Sequence, residues 1–191
     1  MNVTRDEAAK ALADIDKATD KVIELKGYHH GAPHFIVWGF VWLIANTTTQ
    51  FYQQYAGTVW VGLLAVGMVA STVIGIMQGR SIKAGAASSA PAGMSARMGM
   101  TSGVVFAFIF CLMLISQPET NRETNAMISI IFPFLYMCGG IWAGWRLFAI
   151  GFVTAAAILF GFFYVKEWFE LWMAVFAGGS LIAGGIWLRS A

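Results

Sequence analysis

Apolar positions fall into six long runs separated by short polar breaks, at about 33–51, 58–78, 99–116, 126–145, 147–165 and 170–188. A helix needs roughly 20 mostly apolar residues to cross a bilayer's hydrocarbon core, and each run is of that order. The pattern predicts an all-α integral membrane bundle of six transmembrane helices, readable as three hairpins. The fourth and fifth runs almost touch at Trp145, Arg146 and Leu147. Fusing them would give a helix of about forty residues, twice what a bilayer accommodates, so a tight turn is expected there.

Ahead of the first run the period changes. Ala8, Ala11, Ile15, Ala18, Val22 and Leu25 alternate spacings of three and four, the seam of a short coiled coil. Thr4 and Glu7 fit a capping box, and Gly27 is a natural helix stop. Residues 1–27 therefore read as a cytoplasmic amphipathic helix, and 28–191 as the six-span domain. The helix carries six acidic and five basic residues. A helix that lies on anionic lipid carries an excess of lysine, so this balance points to docking on protein. The surface docked on is either the bundle's own cytoplasmic end or a partner, with Ile15, Val22 and Leu25 as contacts.

Composition agrees with a chain dissolved in lipid. Hydrophobic residues make up 58% and charged residues 12%, against about 25% charged in soluble domains. A net charge of +2 gives no basis for nucleic-acid binding. No cleavable leader pattern opens the chain, so the first run is expected to act as an uncleaved start-transfer segment. Lys and Arg set the orientation. Ten fall on one side: Arg5, Lys10, Lys17, Lys21, Lys26, Arg80, Lys83, Arg97, Arg146 and Arg189. Only Arg122 and Lys166 fall on the other, beside Glu119, Glu123, Glu167 and Glu170. Both termini should be cytoplasmic.

Small residues four apart mark expected packing faces: Gly67, Ser71, Gly75 and Gly79; then Gly99, Gly103 and Ala107; then Gly140 and Gly144. In lipid, helices associate by close backbone approach at such positions, so a compact bundle is expected, and a homodimer is a further expectation. The second, fourth and sixth runs end alike, in GIMQGR, GGIWAGWR and GGIWLR. This is either a tripled hairpin or the common interfacial ending of inward-going helices. The stretch from Arg80 to Arg97 reads as an unstructured linker, and QPETNRETN as a short polar loop. Cys111 and Cys138 read as small buried residues too far apart to pair.

Three histidines, His29, His30 and His34, crowd the entry to the first run in GYHHGAPHFIVWG (Gly27–Gly39). His30 and His34 have the spacing that places two ligands on one helix face. However, Gly31 and Pro33 intervene, and no neighbouring carboxylate or cysteine completes a set. A histidine proton sensor is chemically open. The reading carried forward is a headgroup collar of Tyr28, His29, His30, Trp38 and Trp42, with no metal or cofactor expected.

Away from their ends the runs hold no charged residue, Arg146 in its turn excepted. Proton-coupled transporters keep intramembrane ionisable groups, and a membrane enzyme would cluster reactive side chains at one depth. Neither pattern is present, so no catalytic residue is assigned. The polar cluster NTTTQ (Asn46–Gln50), continued by Gln53 and Gln54, lies at the outer end of the first run. Asn46, Thr48 and Gln50 could line a vestibule for a small neutral ligand, or bond between helices.

The stretch from Ala8 to Trp42 combines a charged helix with Tyr28, Ala32-Pro33, Trp38-Gly39 and Trp42. It resembles the start of a group of small bacterial multi-pass membrane proteins to which no activity is assigned. The resemblance covers about a quarter of the chain. It implies the bacterial cytoplasmic membrane and a topology, and no site residue. The reading is of a non-enzymatic interaction, sensory or regulatory membrane protein working in the lipid bilayer, with a cytosolic or membrane partner. Transport of a small neutral solute is the alternative.

Overall fold

The computed structural model describes residues 5–85 and 94–190, and these are helical with no strand among them. Six helices follow: α1 Arg5–Phe51, α2 Ala56–Gly85, α3 Met94–Ser116, α4 Asn121–Ala143, α5 Trp145–Tyr164, and α6, the run Lys166–Arg189. Four segments are long and apolar enough to cross a membrane: Gln53–Arg80, Asn121–Ala143, Trp145–Tyr164 and Lys166–Arg189. The described apolar part of α3, Gly103–Ser116, is shorter. The apolar half of α1 is diluted by His34 at its start and NTTTQ at its end.

Gly27 does not stop the first helix, contrary to the sequence reading. A glycine stop requires positive φ, and Gly144 is the only positive-φ glycine among the described residues. α1 therefore runs unbroken for 47 residues, roughly 70 Å at the α-helical rise. Pro33 lies inside it rather than opening it. An interior proline removes a backbone donor and crowds the preceding turn, and membrane helices tolerate this where a neighbour satisfies the freed groups. Near it Gln78 of α2 donates from Nε2 to the His30 carbonyl at 3.0 Å, which ties α2 to α1 three residues before the proline. The expected cap at Thr4 lies outside the described residues.

α1, α4, α5 and α6 build the bundle. α1 packs antiparallel along α6, α4 packs along α5, and Phe35 and Trp42 of α1 meet Tyr136 and Phe132 of α4. Tyr28, Trp42, Ile158, Phe169, Met173 and Leu181 are among the buried core residues. α2 lies against the outside of α1, and α3 packs only sparsely on the rest.

α4 and α5 are joined by Gly144 alone, at φ 117°. A Cβ there would strike the Tyr28 hydroxyl and the Glu24 carboxylate, so both conformation and space demand glycine. α6 opens with a 3-10 turn, Lys166–Trp168, and widens into a π-helical segment, Met173–Gly178. That segment crosses α1 where Gly39 and Gly178 meet backbone to backbone. A Cβ on Gly39 would lie 2.9 Å from the Gly178 carbonyl oxygen.

The small-residue expectations divide. Gly67 packs on Val41 and Trp38, and Gly140 on Phe148. Gly75, Gly79 and Gly103 meet nothing, and Ala107 is exposed. The tightest approaches fall at Gly144, Gly140 and Gly161, the first two on an expected stripe, while Gly39, Gly151, Gly184 and Gly185 approach closely outside the stripes. The stretch expected to be an unstructured linker is shorter than read, because α2 extends to Gly85 and α3 starts at Met94. Its remainder, 86–93, lies outside the described residues.

Candidate functional site

Three features hold polar or interacting side chains. The first is the projecting part of α1. Ile15 is 60% exposed and Val22 49%, and Leu12 and Ile23 are exposed beside them. Leu25 differs, since it packs against the bundle core. The described seam side chains from Ala11 to Val22 are all exposed. Only Glu24 and Leu25 begin the contact.

The second feature lies where α1 enters the bundle, the proximal end. Tyr28, expected in a headgroup collar, is instead 3% exposed. Trp42 is also core, and Trp38 packs on it. The reason is local. α5 begins directly after Gly144, whose lack of a side chain leaves the first turn of α5 without a cap, and a helix start has unpaired N–H groups. The Tyr28 hydroxyl accepts from the Arg146 N–H at 3.3 Å and donates to Glu24 Oε1 at 2.6 Å. α1 thereby caps α5. Lys21 pairs with Glu24 at 3.1 Å. The Arg146 guanidinium donates to the Trp187 carbonyl at 3.0 Å and lies over the Tyr28 and Trp187 rings. The Tyr28 hydrogen bond, with Lys21 adding to it, holds Glu24 below the ordinary carboxylate range. Burial, then the bond to Glu24, pushes Tyr28 up to about 12.

Of the histidines, His30 has its Nδ1 2.7 Å from the Lys26 carbonyl, His29 is exposed and His34 is half-buried. Among the described residues no three His, Cys, Asp or Glu side chains converge as a metal site would require. Cys111 and Cys138 are free and exposed, correcting the expectation of burial. The three arginine endings also differ: Arg146 is tied to Trp187, whereas Arg80 and Arg189 are exposed.

The third feature is the distal end. Asn46 is fully buried. It donates to the Trp42 carbonyl and accepts from Asn125 Nδ2 at 2.6 Å. Asn125 also donates to Glu170 and accepts from Ser129. Gln50 donates to the Glu167 carbonyl at 3.1 Å and accepts from the Leu171 N–H at 3.3 Å. The Thr48 side chain donates to the Ile44 carbonyl of its own helix. Asn46 and Gln50 are therefore brought together with residues of α4 and α6, and Thr48 is not. The sequence reading left Asn125 outside the fourth helix, which it started at 126, and did not join Ser129 or Glu170 to the Asn46 cluster. The signal was present: Thr120-x-x-Glu123 is a complete capping box that starts α4 at Asn121. A cleft of about 260 Å³ opens above these residues, lined by Gln50, Arg122, Lys166, Glu167 and Glu170 among others.

Fold and site together define a helical protein with four helices able to cross a membrane, tied by polar side chains at both ends. No family model, curated protein or solved structure matches the chain.

Proposed function

We propose that this is a membrane-anchored interaction protein whose projecting helix engages a cytosolic or membrane partner. The observation that carries it is the exposed row Leu12, Ile15, Val22 and Ile23 on a helix continuous with the bundle. An apolar seam left in water favours burial against a complementary helix. Its near-balanced charge suits a protein surface better than anionic lipid. The accompanying topology is six crossings of the bacterial cytoplasmic membrane with both termini cytoplasmic. The Lys and Arg distribution supports the orientation, and the resemblance of residues 8–42 supports the compartment.

A photo-crosslinking residue in place of Ile15, activated in native membranes, is expected to give one adduct of discrete mass. The adduct should vanish with Val22→Asp, while yield and thermal midpoint stay unchanged because Val22 does not touch the bundle. An adduct the size of a second copy would make the seam a homodimer contact. No adduct at Leu12, Ile15 or Ile23 would end the proposal.

A further inference from the structure

The distal cleft does not stand alone. Beside it runs an apolar groove of about 320 Å³ between α4 and α5, lined by Ala126, Met127, Ile130, Ile158, Leu159 and Phe162 among others. The two join at one contact: Arg122 lines the cleft, Phe162 lines the groove, and the Arg122 guanidinium lies 5.1 Å over the Phe162 ring. From Glu123 to Ile130 the groove descends roughly 10 Å at the helical rise. That is most of one leaflet's depth of about 15 Å. An oily channel one leaflet deep, topped by a charged cleft, has the shape of a membrane lipid.

The charges say which kind. Arg122 and Lys166 bring two cations, and Glu167 and Glu170 two carboxylates. Among the described residues none of the four forms an ion pair. Arg and Lys recognise phosphate oxygens, and a carboxylate recognises an ammonium. A purely anionic headgroup would face the exposed Glu167 carboxylate unpaired, while Glu170 already accepts from Asn125. We infer that the groove and cleft together hold one phospholipid with a zwitterionic, amine-bearing headgroup, of the phosphatidylethanolamine kind. Its acyl chain lies along α4 and α5, its phosphate by Arg122 and Lys166, and its ammonium by Glu167.

The test is native mass spectrometry of the delipidated full-length protein in detergent, titrated with phosphatidylethanolamine and phosphatidylglycerol of the same acyl chains. One phosphatidylethanolamine should bind at least about tenfold more tightly than phosphatidylglycerol, the worth of one charge-assisted contact. Lys166→Gln should weaken it by a similar factor, Glu167→Gln should narrow the preference between the two lipids, and Leu159→Trp, which fills the groove, should weaken both lipids. Lys166, Glu167 and Leu159 are exposed, so these variants leave the bundle's core intact. Equal binding of the two lipids, a preference unchanged by Glu167→Gln, or displacement of the lipid by free phosphoethanolamine at equal concentration would overturn the proposal. The last result would assign the cleft to a soluble zwitterion.

Discussion

Tyr28 ties α1 to the first turn of α5. Its hydroxyl replaces the cap that Gly144 cannot supply to α5, and it bonds Glu24 on its own helix. Tyr28→Phe keeps the ring and removes both bonds, so it should cost about 1–2 kcal/mol, read as a lowered thermal midpoint in detergent. The same pair sets a pH dependence. The folded-state pKa of Tyr28 is raised above its ordinary value to about 12. Its stabilisation is therefore complete below about 10 and is lost as pH rises from there to about 12. Glu24 is shifted downward, so its contribution is present above the ordinary carboxylate range and is lost as pH falls through and below it. Midpoints measured across pH should fall at both extremes in the native chain. Tyr28→Phe should abolish the alkaline loss and shrink the acid one, because the Tyr28 bond is the main cause of the Glu24 shift. An unchanged alkaline limb would show that this hydroxyl is not buried as described.

At the scale of elements, the glycines show what a sequence can and cannot reveal. Gly75 and Gly79 have the ideal four-residue spacing and face open space. Gly39 and Gly178 have no stripe around them, yet they form the crossing of α1 and α6. Spacing records which residues share a face, whereas contact depends on which face the partner takes. Gly39→Ala should therefore destabilise the bundle by about 1–3 kcal/mol, since its Cβ meets backbone that cannot swing away. Gly75→Ala should be neutral or stabilise by up to about 1 kcal/mol through helix propensity. Thermal midpoints of the two variants test this, and equal effects would contradict the crossing. By the same logic the apolar runs were legible because length and hydropathy are local. Helix starts were legible where a capping pair exists, as at Thr120 and Glu123. The continuity through Gly27 and Pro33 was hidden, because both residues carry local stop signals and α1 runs on through them. Asn46 and Gln50 were readable as a polar cluster. Asn125, the partner of Asn46, lies 79 residues away, and Glu167 and Leu171, the partners of Gln50, lie 117 and 121 residues away, so no local pattern joins them.

For the whole molecule, α1 is the axis. One unbroken helix carries the exposed seam at one end and Asn46 and Gln50 at the other, so the polar ties of the distal end and the projecting surface belong to one rigid element. The proposed orientation of this axis rests on the charges at the two ends. The proximal end bears Lys21, Lys26 and Arg146, while the distal turns bear Arg122 and Lys166 beside Glu119, Glu123, Glu167 and Glu170. The excess of Lys and Arg retained on the cytoplasmic side supports the proposed orientation, with the proximal end inside. Asp16 and Glu119 are exposed at opposite ends and make suitable reporters once Cys111 and Cys138 are replaced by alanine. In intact cells a membrane-impermeant thiol reagent should label Glu119→Cys and spare Asp16→Cys, and permeabilisation should expose Asp16→Cys. Labelling of both in intact cells, or of Asp16→Cys alone, would reverse or break the proposed orientation. It would also move the projecting helix to the compartment where a cytosolic partner could not reach it.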